Sequence, residues 1–134
     1  EIWSATSYGE LRREGMDVSR WNRLHPHEAI KSTWVEQQFG DATAPIIAAS
    51  DNVAAVPEMI REWVSAPFTV LGTDGFGRSD TRPALRRFFE IDGEAVALAA
   101  LSSLVREGQI EASVYADAMA SFGVSADRTD ITSL

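Results

Sequence analysis

Two apolar runs constrain this chain more than any other feature: APIIAASD (Ala44 to Asp51) and PFTVLGTDG (Pro67 to Gly75). Neither alternates polar with apolar side chains before its turn residues, the pattern of strands buried on both faces, as parallel sheets require. Each is followed by turn-forming residues and then by helical patterning. Strand, turn and helix in repeated succession predict an α/β fold of three layers, α/β/α, with a mostly parallel sheet. A third strand is expected ahead of these two in the β-rich IWSATSY (Ile2 to Tyr8). Three strands are few for such a sheet.

The helices are read from caps and periodicity. Ser7 and Glu10 stand at capping-box spacing, which predicts a short helix stopped at Gly15, with an irregular stretch after it from Met16 to Ala29. STWVEQQFGD predicts a turn or two of helix ending at Gly40. From Asn52 to Val64 a helix is expected, capped by Ser50 or Asp51, with Val53, Val56, Ile60 and Val64 on one face and Pro57 breaking or kinking it near its first turn. Pro83 suits the first turn of a helix through TRPALRRFF. The clearest periodicity lies in DGEAVALAALSSLVREG, where Val96, Ala100 and Leu104 adjoin a row of Leu98, Leu101 and Val105, and Gly108 ends the helix. A last helix closes at Gly123, so the expected domain is 1–123 with a polar tail at 124–134.

With 134 residues, 45% hydrophobic and 24% charged, the chain carries enough apolar side chains for one core. Twelve basic against twenty acidic residues give a net charge of −8, the wrong sign for gripping a nucleic-acid backbone. Without cysteine there is no disulfide and no thiolate chemistry, which fits a cytoplasmic setting. Its longest uncharged helical run, Ala95 to Val105, is too short to cross a bilayer. Neither nucleic acid nor membrane is an expected partner.

The chemically dense stretch is LGTDGFGRSDTRPALRRFFEID. Glycines between a strand and a helix can cradle phosphate, but Gly72-x-x-Gly75-x-Gly77 matches neither the dinucleotide fingerprint nor a lysine-bearing phosphate loop. Arg78, flanked by Asp74 and Asp80, is a poor phosphate ligand. The stretch is therefore read as a structural turn. Gly75 and Gly77 supply positive φ, Asp80 or Thr81 caps the next helix, and Arg78 and Arg82 pair with Asp74, Asp80 or a neighbouring subunit. His25 and His27 straddle Pro26 with only Glu28 as a third local ligand, which favours a polar loop over a metal site. The Ser50-Asp51 and Ser79-Asp80 pairs lack a nucleophile elbow and a placed histidine. Of the four tryptophans, Trp21 and Trp34 fall where subunit contact rivals core packing.

Taken in order, IWSATSYGELRREG, RWNRLHP, PIIAASD and LGTDGFGRSDTRPALRRFFEID resemble the C-terminal domain of the homodimeric, thiamine-diphosphate-dependent first component of the bacterial pyruvate dehydrogenase complex. The resemblance runs from Glu1 to about Gly123. It implies a transketolase C-terminal-like fold and an enzyme that decarboxylates pyruvate and acetylates a lipoyl group. Thiamine diphosphate and magnesium would be bound by regions absent from this chain. The implied partners are those cofactor-binding domains, a second copy in a homodimer and the lipoyl acyltransferase component.

The chain departs from the family pattern in two ways. It lacks the family's first strand and helix, and it lacks the Gly-Asp-Gly type of cofactor motif. The resemblance thus places no catalytic, cofactor-binding or metal residue here. It carries over only the signature loop, with Asp74, Gly75, Phe76, Gly77, Arg78, Ser79, Asp80 and Arg82 as structural or interface residues, and the segment from Trp3 to Tyr8. Beginning at Glu1 rather than methionine, the chain is expected to be a piece of a longer polypeptide. The alternative is a non-catalytic stand-alone module, or a subunit of a split enzyme acting on another 2-oxo acid.

Overall fold

A computed structural model describes residues 1–129. Their order is α1 (Tyr8–Leu24), α2 (Trp34–Phe39), β1 (Ile46–Ala49), α3 (Ala55–Glu58), β2 (Phe68–Leu71), α4 (Arg82–Phe88), α5 (Gly93–Arg106) and α6 (Ala112–Ser121), with a 3-10 turn at Arg61–Trp63. The two strands are parallel, in the register Ile46 to Phe68 through Ala49 to Leu71.

Strand pleating divides the layers. Because side chains alternate across a sheet, Ile46, Ala48, Phe68 and Val70 share a face and join one core with Val35, Ile60 and Trp63, lined by Tyr8 and Leu11 of α1 and Phe39 of α2. Thr69 points the other way, where its hydroxyl lies 3.2 Å from that of Ser103 on α5. α5 packs on both strands and α6 packs behind α5. Helices therefore cover both faces of a parallel sheet, as expected of an α/β domain. Burying Val35, Trp63 and Phe68 supplies on the order of 1.5–3 kcal/mol each.

Three local expectations are corrected. The first concerns Ile2 to Tyr8, which form no strand, so the sheet holds two strands among the described residues. Ser7 instead starts α1 by accepting the Glu10 N–H. Trp3 packs its ring edge-on against Phe39 at 5.3 Å and Trp34 at 6.5 Å.

The second concerns Gly15, which does not stop the helix. α1 continues to Leu24 through the stretch expected to be irregular. Gly15 is buried against Trp63, and a Cβ there would lie 2.7 Å from the indole. Glycine in a helix interior costs about 1 kcal/mol, and here it admits a tryptophan flat against the helix. Trp63 Nε1 then donates to Ser19 Oγ one turn further on, at 3.1 Å.

The third concerns the helix from Asn52 to Val64, which shrinks to one α-turn and one 3-10 turn. Pro57 lacks an N–H and crowds the preceding turn, and the bonds after it tighten to i→i−3: Met59 N–H to Val56 O and Ile60 N–H to Pro57 O. Of the expected face, Ile60 is buried and Val64 packs against the core while Val53 is exposed, and the altered rotation adds Trp63 to the buried set.

Other ends follow their sequence signals. Thr33 and Glu36 form a complete capping box at α2. Asp92 caps α5 by accepting the Ala95 N–H. Gly108 and Gly123, at φ +67° and +64°, terminate α5 and α6, with Gln109 and Val124 donating back into the helices. Of the expected tail at 124–134, residues 130–134 lie outside the described residues.

Candidate functional site

The signature loop leaves β2 at the same end at which β1 gives way to α3, because the strands are parallel and in register. That juxtaposition makes its first half a suture. Thr73 N–H donates to Asn52 O at 2.9 Å, and the Thr73 hydroxyl donates to Asp51 O at 3.0 Å. Asp74 Oδ2 accepts the Ala54 N–H at 2.9 Å. The cap of α3 thus comes from twenty residues downstream and not from Ser50 or Asp51; Ser50 Oγ instead accepts the Asn52 N–H in a local turn. Gly72 makes the approach possible, since a Cβ on it would sit 2.3 Å from Ala54 N and 2.9 Å from Asn52 O.

The second half is open. Gly75 turns the chain at φ +103°, as expected of a glycine there. Gly77 does not adopt positive φ, and its Cβ position faces open space, so its expected role is corrected. Phe76 between them is 86% exposed. Ser79 is exposed. Asp80 Oδ1 accepts the Thr81 N–H at 2.8 Å, and although Thr81 stands at the cap of α4, neither side chain caps that helix.

Of the partners expected for Arg78 and Arg82, neither Asp74 nor Asp80 is taken within the chain, which leaves the neighbouring subunit. Arg78 lies over the Phe88 ring, 4.6 Å from its centre. Arg82 opens α4 facing a cavity of about 470 Å³ bounded also by Asp51, Thr73, Arg78, Arg86 and Phe89. Arg86, one helical turn beyond Arg82, reaches Asp51 at 3.9 Å.

A second cavity, about 250 Å³, lies where the end of α4 meets α5 and α6, and it is bordered by Arg87 and Arg128. Both guanidinium groups are committed. Arg87 pairs with Asp92 at 3.3 Å and with Glu94, and donates to Phe122 O at the end of α6. Arg128 pairs with Glu90 at 3.2 Å and donates to the carbonyls of Arg87 and Phe88 at the end of α4. Each arginine closes the open carbonyls of a helix remote in sequence, a role with no local signal in the chain.

The tryptophans singled out from sequence lie in different settings. Trp21 is sandwiched within the chain, stacked on His25 at 4.3 Å and covered by Lys31 Nζ at 3.6 Å. Asn22 holds Lys31 in place through two bonds of 2.9 Å. Trp34 is 42% exposed, and its backbone N–H is held by the Glu14 carboxylate. His25 Nδ1 lies 2.8 Å from Trp21 O. Among the described residues no three His, Asp or Glu side chains converge on a point that could hold a metal ion.

Fold and loop together define the class: a helix-covered, parallel α/β domain whose strand-to-helix loop after β2 binds the neighbouring strand-to-helix connection. A family model described as the transketolase-like TK C-terminal domain matches residues 1–92. The chain belongs to this transketolase-like C-terminal domain family.

Three relatives named pyruvate dehydrogenase E1 component are similar along nearly all of the chain. The protein of Pseudomonas aeruginosa is 48% identical over 129 residues, 96% of this chain and 15% of the relative. That of Mycolicibacterium smegmatis is 50% identical over 118 residues, 88% of this chain and 13% of the relative. That of Escherichia coli K12 is 44% identical over 131 residues, 97% of this chain and 14% of the relative. The chain therefore spans about one seventh of the length of the curated relatives it matches.

Proposed function

We propose that this chain is the C-terminal, dimer-supporting region of a thiamine-diphosphate-dependent pyruvate dehydrogenase (acetyl-transferring) component, an enzyme of the cytoplasm at the exit of glycolysis. In this proposal the domain holds an assembly together, and the enzyme decarboxylates pyruvate and hands the acetyl group to a lipoyl acyltransferase partner. The observation that carries it is identity of 44–50% to pyruvate dehydrogenase E1 components over 88–97% of the chain. Residues 1–123 are taken as the domain, with 124–134 as its tail, Trp21 and Trp34 as contact residues, and the loop from Asp74 to Arg82 as structural or interface residues.

The residues present do not fit thiamine diphosphate with magnesium. Asp74, the half-buried carboxylate of the signature loop, is taken by Ala54 N–H. Among the described residues no group of three His, Asp or Glu side chains could hold the magnesium that accompanies the diphosphate. We assign the cofactor to other regions of the enzyme. No helix among the described residues is long and apolar enough to cross a membrane.

The test is a graft. This chain replaces the matching segment of the Pseudomonas aeruginosa relative, and pyruvate decarboxylation and dimer mass are measured beside the 134-residue chain alone. The graft is expected to remain dimeric and active. The isolated chain is expected to show neither turnover nor micromolar binding of thiamine diphosphate by calorimetry. An inactive, monomeric graft, or tight cofactor binding by the isolated chain, overturns the proposal.

A further inference from the structure

Four arginines outside the larger cavity hold a carboxylate or a carbonyl. Arg13 and Arg61 grip carboxylates within their own helical turns, while Arg87 and Arg128 close helix ends. Around the larger cavity the balance differs. Arg78 rests on a ring, Arg86 touches Asp51 only at 3.9 Å, and Arg82 has no carboxylate at ion-pair distance among the described residues. Three cations thus face two carboxylates, Asp51 and Asp80, in a chain whose net charge is −8. The cleft is a local reversal of sign. Arg82 and Arg86, four residues apart on α4, project from one face, and Arg78 approaches from the loop. Guanidinium forks so placed suit planar oxyanions, above all carboxylates.

The same loop carries Phe76, 86% exposed, between Gly75 and Gly77. Its root does not drift, since Thr73 and Asp74 are bonded to residues 51–54. An exposed aromatic beside arginines, presented by an already ordered loop, is the composition of an interface anchor. A small free anion would answer the arginines and leave Phe76 bare.

We propose that the Phe76 tip and the Arg78–Arg82–Arg86 cleft form a docking surface for an acidic segment elsewhere in the same enzyme, with Phe76 seated in an apolar hollow and Asp or Glu side chains of that segment paired to Arg78 and Arg82. This rests on the chain being one region of a larger pyruvate dehydrogenase, and it adds the chemistry of the contact.

The graft enzyme described above tests it, with photoreactive benzoylphenylalanine in place of Phe76 and cross-linked peptides identified by mass spectrometry. The expected product joins position 76 to a peptide of the same enzyme that contains at least two acidic residues. Its yield falls about tenfold in the Arg78→Gln/Arg82→Gln variant, and similarly in about 0.5 M salt, whereas Arg106→Gln on α5 leaves it unchanged.

A cross-link to a peptide without carboxylates, or a yield indifferent to the arginines, overturns the proposal. So does an absent cross-link accompanied by phosphate binding that Arg78→Gln/Arg82→Gln abolishes, which would make the cleft a small-anion site. An active, dimeric graft with any of those results sinks the docking surface and leaves the role of the domain standing. A graft that neither assembles nor turns over sinks both.

Discussion

At the scale of single residues, two glycines matter for the atoms that press on them. Gly15 faces the Trp63 ring, and Gly72 faces the backbone of Asn52 and Ala54. Substituting alanine at Gly15 should recover about 1 kcal/mol of helix propensity, yet the 2.7 Å approach to the indole forces Trp63 or α1 to shift. Overpacking of this kind costs about 1–3 kcal/mol, so the net expectation is destabilisation, read as a lower midpoint in urea. Gly72→Ala meets main-chain atoms that have no rotamer to escape into, and it should cost at least as much. Gly77→Ala, in open space and away from positive φ, should be neutral within about 0.5 kcal/mol. Equal effects at Gly72 and Gly77 would contradict the suture. Asp74→Ala should cost about 1 kcal/mol by leaving Ala54 N–H without its acceptor, with Asp74→Asn milder because an amide oxygen can still accept.

At the scale of elements, the helices here are short and lean on remote partners. Glu58 and Arg61 bridge α3 to the 3-10 turn, and Arg61 also donates to Phe68 O at 3.0 Å, stitching that turn to β2. The hydrogen bond from Arg61 holds the Glu58 carboxyl below its ordinary value of 4.5. Glu58 therefore adds stability that is fully present above 4.5 and is lost as pH falls through the lower folded value. The pair is well exposed, so its worth is only about 0.3–0.5 kcal/mol and shrinks in salt. Glu58→Gln should remove that fraction of the acid-side slope in denaturation followed from neutral pH to pH about 3, and an unchanged slope would show the pair to be idle. Glu10, lowered by its bond to Arg13 on the surface of α1, shifts in the same direction.

For the molecule as a whole, the last third of the chain is secured mainly through α5, which packs on both strands and against α6. Arg87 and Arg128 supply a further tie by closing the ends of α6 and α4. Arg128→Ala should raise amide hydrogen exchange at the ends of α4 and α6 by about tenfold while leaving β1 and β2 protected. Exchange that rises equally in the strands would mean that the clasp supports the whole core.

What was legible from sequence was what depends on near neighbours. The two apolar runs became strands, Ser7, Gly108 and Gly123 marked helix ends, and Pro57 broke the helix it sits in. Caps and breakers act within four residues, so their signals lie side by side in the chain. Ile2 to Tyr8 misled because β propensity makes a strand only where a partner strand lies alongside, and none does among the described residues. Gly15 misled because a glycine stop and a glycine contact are identical until Trp63, forty-eight positions on, is brought against it.

The sequence alone determined an α/β domain, its family and the signature loop. Only the tertiary structure decided that Asp74 caps a helix it does not belong to, that Arg78 and Arg82 ignore their neighbouring aspartates, and that Arg128 closes α4. Charge and hydrogen-bond partners are chosen by distance in space, and parallel strands bring together residues that the chain keeps twenty or more positions apart.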